Sequence, residues 1–458
     1  MKMLPRFADR DTAAGLVSAL SDEFAVVENP PYIHPPYEVY PLSKGCSTLS
    51  RGLAAAVMDM DGTTTTTEPV CIHALDTMVR RASGRDADPD WPGLDHARDY
   101  PHIIGNSTTK HVEYLVRAYG GQFLPDALRR HYIAAAAWTL GHGQDPQRQR
   151  EVRSTMASLG VGEMAGDARF AALCREDFPG GAEAARLLDT LDGEYAGRFS
   201  CGGVAALTRA CIDIYYQRYH EVLGAVGAGR GAEMAHAVLG GKGGHLIGPM
   251  PGVGVFLALV KGLLGTEAGA FAEMLAVRLD GVPGTNPPAP DKAAERMARL
   301  GAHFQQHPAK VALVTSSIAY EARLVLGEVF RVLREEIPEW PVDRPLRADL
   351  LEAFASPEVF YDGVITATDS SEIRLKPHRD LYSMAMHELG VYPEDFDCVA
   401  GFEDSDSGTI AIRAAGIALS CALPFAMTTG HQFRAATQVC PGGLPQVLLE
   451  HGLFLEGF

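Results

Sequence analysis

Two aspartates, Asp59 and Asp61, follow the apolar run 54–58 and precede Gly62, which lets the chain turn sharply. The apolar run predicts a buried strand. Residues two apart project to the same side of an extended segment, so both carboxylates can face one site. One carboxylate can then act as a nucleophile while its neighbour transfers a proton. The alternative that this stretch alone leaves open is a strand that ends in a solvated, aspartate-rich turn.

A second strand end carries hydroxyl groups. Thr315, Ser316 and Ser317 follow the apolar run 310–314, and a helix with one apolar face is predicted directly after them. Either serine can cap this helix. Hydroxyls beside the free N–H groups of a helix N-terminus form an arrangement that binds phosphate. We therefore expect an anion-binding site at this strand end.

Two lysines are candidates for contact with an anion. Lys376 stands before Pro377 at the start of a predicted helix, and the proline restricts it to extended conformations that suit a lysine aimed at a ligand. An ordinary surface lysine is the alternative. Lys242 lies in the Gly-rich loop 240–244, which could bring a cation and backbone N–H groups to an anion. A flexible loop between helices explains the same composition.

Three acids, Glu403, Asp404 and Asp406, follow the apolar run 398–402. Acids at the end of a buried strand repel one another unless a cation or solvent offsets their charge. Magnesium prefers oxygen ligands. The sequence therefore predicts a magnesium site at this strand end.

Strands alternate with helices in the last third of the chain, whereas residues 70–305 are rich in Ala, Leu, Arg and Glu with helical spacing. We interpret residues 70–305 as a mainly α-helical inserted domain that ends after a Gly- and Pro-rich linker at 281–291. Residues 53–69 and 306–458 then form the α/β core. Residues 1–52 are expected to be an N-terminal arm that packs on the core.

The composition limits the classes of function. The chain has 458 residues and a net charge of −17 at pH 7, so a nucleic-acid partner is not expected. The eight cysteines are scattered without a Cys-x-x-Cys pair, which is typical of reduced thiols in a cytoplasmic protein. The longest apolar run, 253–260, is far too short to span a bilayer. These features predict a cytoplasmic protein without a membrane partner.

Together, the four stretches resemble the four motifs of the haloacid dehalogenase (HAD) superfamily of phosphohydrolases. The matching residues, in chain order, are Asp59-Met60-Asp61-Gly62-Thr63 with Glu68, then Thr315, then Lys376-Pro377 with Asp380 and Tyr382, then Glu403-Asp404-Ser405 with Gly408, Ala411, Ala414, Ala415 and Gly416. The resemblance implies a doubly wound, Rossmann-like parallel sheet of the α/β class, with the motifs at the C-terminal strand ends. It also implies a large, mainly α-helical cap domain inserted after the first strand.

The resemblance implies a role for each motif residue. Asp59 would attack phosphorus and form an aspartyl-phosphate, and Asp61 would protonate the leaving group and then deprotonate water. Thr315 and Lys376 would bind the transferring oxygens. Further contacts to the substrate phosphate are expected from Gly62, Thr63, Ser316 and Lys242.

The resemblance also implies a ligand set for Mg2+. The carboxylates of Asp59 and Asp404 and the main-chain carbonyl of Asp61 would hold the ion. Glu403 would contribute directly or through water. The expected cofactor is therefore Mg2+, and the expected partner is a small phosphorylated substrate.

We predict a magnesium-dependent phosphatase that hydrolyses a small phosphorylated metabolite. A sugar phosphomutase similar to β-phosphoglucomutase shares nearly the same motifs, and a non-catalytic phosphometabolite-binding protein is a third alternative. Asp61 argues against a dehalogenase, because halide leaves without a proton. The chain departs from the family in the length of its insertion, in Thr66 at a common Asp position and in Arg379 at the usual Pro position. The substrate therefore cannot be read from the motifs.

Overall fold

The computed structural model describes residues 7–29, 33–176, 180–240, 244–369, 372, 374–428 and 430–454. Contacts within the described residues define two compact units. The first unit comprises the described residues of Met1–Thr66, Gly248–Ala322 and Val329–Phe458, and the second comprises those of Thr67–Ile247 and Arg323–Glu328. Most of the second unit is therefore a single insertion in the sequence of the first.

The strands of the first unit form an antiparallel hairpin and a parallel sheet. They are β1 (Glu23–Glu28) and β2 (Tyr37–Leu42) in the hairpin, and β3 (Ala55–Asp59), β4 (Lys310–Val314), β5 (Gly363–Ile365), β6 (Val399–Glu403), β7 (Leu419–Ala422) and β8 (Gln438–Val439) in the sheet. The strand order in the sheet is β5-β4-β3-β6-β7-β8, and all neighbouring strands are parallel. This is the order of a doubly wound α/β sheet, which confirms the predicted fold class.

Helices form most of the remaining structure. The hairpin is preceded by α1 (Arg10–Ser18). The insertion contains α2 (Glu68–Ala82), α3 (Thr108–Tyr119), α4 (Pro125–His142), α5 (Pro146–Ser158), α6 (Ala168–Leu173), α7 (Ala182–Tyr195), α8 (Val204–Ala225) and α9 (Gly231–Leu239). After the insertion come α10 (Val253–Val260), α11 (Ala272–Val277), α12 (Pro290–Gln306), α13 (Ala319–Glu336), α14 (Arg344–Ala353), α15 (Pro357–Phe360), α16 (Asp380–Glu388), α17 (Asp406–Ala414) and α18 (Gly443–Leu449). None of the described helices has the length and apolar character needed to cross a membrane.

The parallel sheet is buried on both faces. Every residue of β3 and β6 is buried, which explains why both strands are apolar up to their last residue. On one face, Ala55 and Val57 pack in a core cluster with residues of α16 and α17. Side chains alternate along a strand, and on the opposite face Phe402 contacts Phe256 of α10 with ring centroids 5.1 Å apart. Among the described residues, helices therefore cover both faces of the sheet, and ligands of such sheets bind at the strand ends.

The second unit is helical and is built around α8, against which α2, α3 and α4 pack. Arg148 and Asp213 form a buried ion pair in this unit. The Arg148 guanidinium also lies over the Tyr216 ring, 4.6 Å from its centroid. Burial raises the pKa of the Asp213 carboxyl to about 7, although the Arg148 charge opposes the shift. The helices α2 to α9 confirm the helical character predicted for the insertion.

Residues 248–305 belong to the first unit, whereas the sequence analysis assigned them to the inserted domain. All of α10 is buried, and the Ala309 N–H donates to the Val260 oxygen at its end at 2.8 Å. The side chain of Arg296 in α12 donates through Nε to the Leu448 oxygen at 2.9 Å. The helical composition continues across residue 248, so it could not mark this boundary. The linker at 281–291 lies inside the first unit.

The threonine run after Asp61 is extended and pairs with residues 248–250 through main-chain hydrogen bonds. The Thr66 N–H donates to the Gly248 oxygen at 2.9 Å, and the Met250 N–H donates to the Thr64 oxygen at 3.0 Å. β-branched residues such as threonine favour this extended conformation. The chain therefore leaves the first unit and returns to it at adjacent positions.

Gly301 provides a test of the packing of α12 within the first unit. A Cβ atom at Gly301 would lie 1.8 Å from the Gly265 carbonyl oxygen, so we expect Gly301→Ala to lower the free energy of unfolding by about 1–3 kcal/mol. Gly327→Ala in α13 is the matched control, because nothing lies within 4 Å of its added Cβ. Alanine is the better helix former, so the control should gain roughly 0.5–1 kcal/mol. Denaturant unfolding measures both changes, and equal stability of the two variants would contradict the packing described for α12.

Candidate active site

Three neighbouring strands bring predicted motif residues to one edge of the sheet. Asp59 is the last residue of β3, Thr315 follows β4, and Glu403 is the last residue of β6. Since β3 lies between β4 and β6 and is parallel to both, the three strands end at the same edge. The strand order changes direction between β3 and β6, and open α/β sheets bind ligands at such a position.

Lys376 joins two of the buried acids. Its ammonium contacts Asp59 Oδ1 and donates to Glu403 Oε1 at 2.6 Å. The side chains of Lys376 and Asp59 are each 8% exposed, and that of Glu403 is 1% exposed. Lys376 is therefore not the surface lysine that the sequence left open.

The charges in this group shift the pKa values of Asp59 and Lys376. Burial and the Glu403 charge raise the pKa of the Asp59 carboxyl well above its ordinary value, and the Lys376 charge opposes them. Burial alone would lower the pKa of the Lys376 ammonium, but the Asp59 and Glu403 carboxylates outweigh it and raise that pKa. Lys376 therefore remains a cation at neutral pH.

Glu403 is held by hydrogen bonds to both of its carboxylate oxygens. Tyr382 donates its hydroxyl to Oε1 at 2.9 Å, and Oε2 accepts the N–H groups of Asp404 and Ser405 at 3.2 Å and the Ser405 hydroxyl at 2.9 Å. Space for this carboxylate depends on Gly408, where an added Cβ would lie 1.8 Å from Glu403 Oε1. The matches at Tyr382, Ser405 and Gly408 thus serve to fix one carboxylate.

Asp61 faces the hydroxyl groups that follow β4. Its Oδ2 accepts a hydrogen bond from Ser317 Oγ at 3.2 Å and a longer one from Thr315 Oγ1 at 3.4 Å. Thr315 Oγ1 also accepts the Ser317 N–H at 2.9 Å. Thr315 and Ser317 thus both contact Asp61, while the predicted contact of Ser316 to the substrate phosphate stays a prediction. The serine cap predicted for the following helix was wrong, because α13 begins after Ile318. Three consecutive hydroxyl residues gave no signal that could separate them.

The turn after β3 depends on Gly62, which has a φ of 80° that suits glycine. Thr64 Oγ1 donates to the main-chain oxygen of Asp59 at 2.6 Å. Thr63 is 1% exposed, and its Oγ1 has no hydrogen-bond partner within the part of the chain that the structure describes. A buried hydroxyl without a partner costs free energy. Thr63 therefore offers a hydrogen-bonding group that a ligand can satisfy.

The donor set at this edge fits a divalent cation. Asp59, Glu403 and Asp404 each offer a carboxylate oxygen, and these oxygens lie within 4.8 Å of one another. All three residues are buried, so their mutual repulsion favours a cation with oxygen ligands, such as Mg2+. Both oxygens of Glu403 also accept hydrogen bonds, so its predicted contribution to the metal site, direct or through water, stays a prediction. Lys242, the remaining predicted residue, lies outside the described residues.

No protein family model matches the chain, and no curated protein matches it. Among solved structures, the chain is similar to CbbY from Rhodobacter sphaeroides in complex with phosphate, with 14% identity and a TM-score of 0.38 over 86% of this chain and 96% of that one. It is also similar to a HAD family hydrolase from Deinococcus radiodurans with bound phosphate and sodium, with 13% identity and a TM-score of 0.32 over 87% and 99% of the two chains.

A third similar structure is β-phosphoglucomutase from Clostridium difficile, with 11% identity and a TM-score of 0.30 over 85% of this chain and 90% of that one. At such identities and TM-scores, the similarity carries no argument about the reaction or the substrate. The chemistry therefore has to be inferred from the geometry of the site.

Metal binding tests the role of Asp404. We expect the wild-type protein to bind Mg2+ in isothermal titration calorimetry, and Asp404→Asn to weaken binding by at least about tenfold, a loss that even indirect contacts to a metal produce. Asp397→Asn is the control, because Asp397 precedes β6 at its other end and its side chain is 51% exposed. Equal affinities of the two variants would contradict the placement of the metal.

Proposed function

We propose that the chain is a magnesium-dependent phosphatase that hydrolyses a small phosphorylated metabolite through an aspartyl-phosphate on Asp59. The observation that carries this proposal is the buried contact of Lys376 with Asp59 at the end of β3. Asp61 lies two residues further on, with a hydroxyl of the β4 end on its carboxylate. The proposed nucleophile (Asp59), cation (Lys376) and proton carrier (Asp61) thus lie at one edge of the sheet.

In the first step, Asp59 is the nucleophile and Lys376 offsets the charge of the transferring phosphate. A carboxylate oxygen of Asp59 attacks phosphorus, the bond from phosphorus to the ester oxygen breaks, and Asp61 gives its proton to the leaving alkoxide. Negative charge on the transferring oxygens is offset by the Lys376 ammonium and by the Thr315 hydroxyl. The Thr63 hydroxyl, which is buried without a partner among the described residues, supplies a further donor.

The second step hydrolyses the aspartyl-phosphate and regenerates the Asp59 carboxylate. Asp61 takes a proton from water, the water oxygen attacks phosphorus of the aspartyl-phosphate, and the bond to the Asp59 oxygen breaks to release inorganic phosphate. Asp61 needs to exist both with and without its proton. Its contacts to Thr315 and Ser317 suit both forms, because a hydroxyl can donate to a carboxylate and accept from a carboxylic acid.

When bound, Mg2+ would supply positive charge that offsets the phosphate and Asp59 charges. The carboxylates of Asp59 and Asp404 and the main-chain carbonyl of Asp61 would hold it. Glu403 keeps Lys376 in position, because its hydrogen bonds orient both carboxylate oxygens.

Phosphorus NMR distinguishes the phosphatase from a phosphomutase. We expect inorganic phosphate to appear when the protein and Mg2+ are mixed with its best substrate from a panel of sugar, polyol, nucleotide and amino-acid phosphates. Hexose 1-phosphates belong in the panel, together with a trace of hexose bisphosphate. Efficient conversion of a 1-phosphate to the 6-phosphate with little free phosphate would instead show a mutase. Absence of turnover on every ester would contradict both enzymes.

Asp59→Asn tests the nucleophile. We expect this variant to fold and to lose turnover by several orders of magnitude, since the amide cannot form the covalent intermediate. Asp291→Asn on the exposed start of α12 is the matched control and should keep full activity. The measurement is phosphate release at saturating substrate, with thermal unfolding to check folding. Retention of more than roughly a tenth of the wild-type rate in folded Asp59→Asn would reject the assignment.

A further inference from the structure

We propose that the N-terminal hairpin of β1 and β2 fixes the loop that carries Lys376, with Tyr40 and Glu38 as positioning residues. The consequence for catalysis rests on the proposed phosphatase function. The hairpin belongs to the first unit, and the sequence analysis assigned it no chemistry beyond packing on the core. Its side chains contact residues on both sides of Lys376.

The main contact is made by Tyr40 in β2. Tyr40 is 8% exposed, and its hydroxyl lies 2.6 Å from Glu38 Oε2 and 2.6 Å from His378 Nδ1. The hydroxyl has one proton and gives it to the carboxylate, so the N–H at Nδ1 of His378 donates to the tyrosine oxygen. The two rings also pack edge to face, with centroids 5.3 Å apart. His378 lies two residues after Lys376 and is thereby tied to the hairpin.

The other side of the loop is fixed by Arg374. Its main-chain N–H donates to Asp380 Oδ2 at 2.9 Å, and its guanidinium pairs with Glu38 Oε2 at 3.3 Å. The Arg374 side chain is 48% exposed, so this ion pair alone contributes little. Glu38 Oε2 nevertheless contacts the Arg374 guanidinium and accepts the hydrogen bond of the Tyr40 hydroxyl. Arg374 thus contacts the Glu38 carboxylate directly, and His378 is linked to the same carboxylate through the Tyr40 hydroxyl.

The hairpin is itself attached to α17, the helix that follows the acids of β6. Tyr40 and Leu42 form a core cluster with Ala414 of α17. Arg413 of α17 is 4% exposed in its side chain, pairs with Glu23 of β1 and donates through Nε to the Ser43 oxygen at 2.8 Å. The hairpin thus connects the Lys376 loop to the segment that carries Glu403, the fixed partner of the lysine.

Removal of the Tyr40 hydroxyl tests this connection. Tyr40→Phe keeps the ring and its packing but releases His378, so we expect kcat to fall about tenfold, as expected for a displaced catalytic group. KM should change less, because the proposed Lys376 contact strengthens in the transition state. Tyr37→Phe is the matched control, since Tyr37 lies on the same strand and is 53% exposed. It should leave kcat and KM unchanged.

A second measurement does not need turnover. Acetic anhydride acetylates the unprotonated form of accessible lysine amino groups and releases acetate, and mass spectrometry of peptides gives the rate for Lys376 relative to Lys261. We expect Tyr40→Phe to raise this ratio several-fold, because the loop releases Lys376 from burial, and Tyr37→Phe to leave it unchanged. If Tyr40→Phe unfolds, Glu38→Gln weakens the same hydrogen bond and gives the same readout.

The outcomes separate the two proposals. A raised labelling ratio in a protein that hydrolyses no phosphate ester supports the positioning role and rejects the phosphatase. Normal turnover with identical kcat and labelling in Tyr40→Phe and Tyr37→Phe rejects the positioning role and leaves the phosphatase. A lower kcat with an unchanged labelling ratio also overturns the inference, because the effect would not act through Lys376.

Discussion

The first unit depends on one arrangement of charge, in which the Lys376 ammonium lies between the carboxylates of Asp59 and Glu403. Taking such groups out of water is costly, and removing one partner from a buried pair typically costs about 3–5 kcal/mol, because the other charge is left uncompensated. The neighbouring segments therefore supply hydrogen bonds as well as charge. Tyr382 from α16 and Ser405 before α17 both donate to Glu403. These hydrogen bonds connect the end of β6 to α16 and to the segment before α17.

The sequence predicted the strand ends well, because a strand buried on both faces of a parallel sheet is apolar throughout and a polar residue at its end is conspicuous. The runs predicted at 310–314 and 398–402 correspond to β4 and β6. The contact between Asp59 and Lys376 spans 317 positions, and no periodicity reports such a distance. Only the order of the motifs, taken with their resemblance to a known family, placed those two residues together.

Other features could not be predicted, for separate physical reasons. The second boundary of the insertion, at residue 248, lies between two helical stretches, and packing alone assigns α10 and α12 to the first unit. The contact of Ser317 with Asp61 depends on the path of the turn after β4, which sets the direction of each hydroxyl. The hairpin contact with His378 is a tertiary contact across 338 positions. An isolated tyrosine on a short strand carries no sequence signal for it.

The charge arrangement also sets a condition on the proposed reaction. The Lys376 ammonium contacts the carboxylate that would attack phosphorus, so a bound phosphate has to take over that contact. A lysine held by Asp59 alone would have no fixed position once Asp59 bonded to phosphorus. Glu403 removes this difficulty, because Tyr382 and the main-chain N–H groups after β6 hold it in place. Lys376 can then pass one hydrogen bond from Asp59 to a phosphate oxygen while it keeps the other. The cost of orienting the cation therefore falls on folding and not on the transition state, where charge develops next to a group that is already in place.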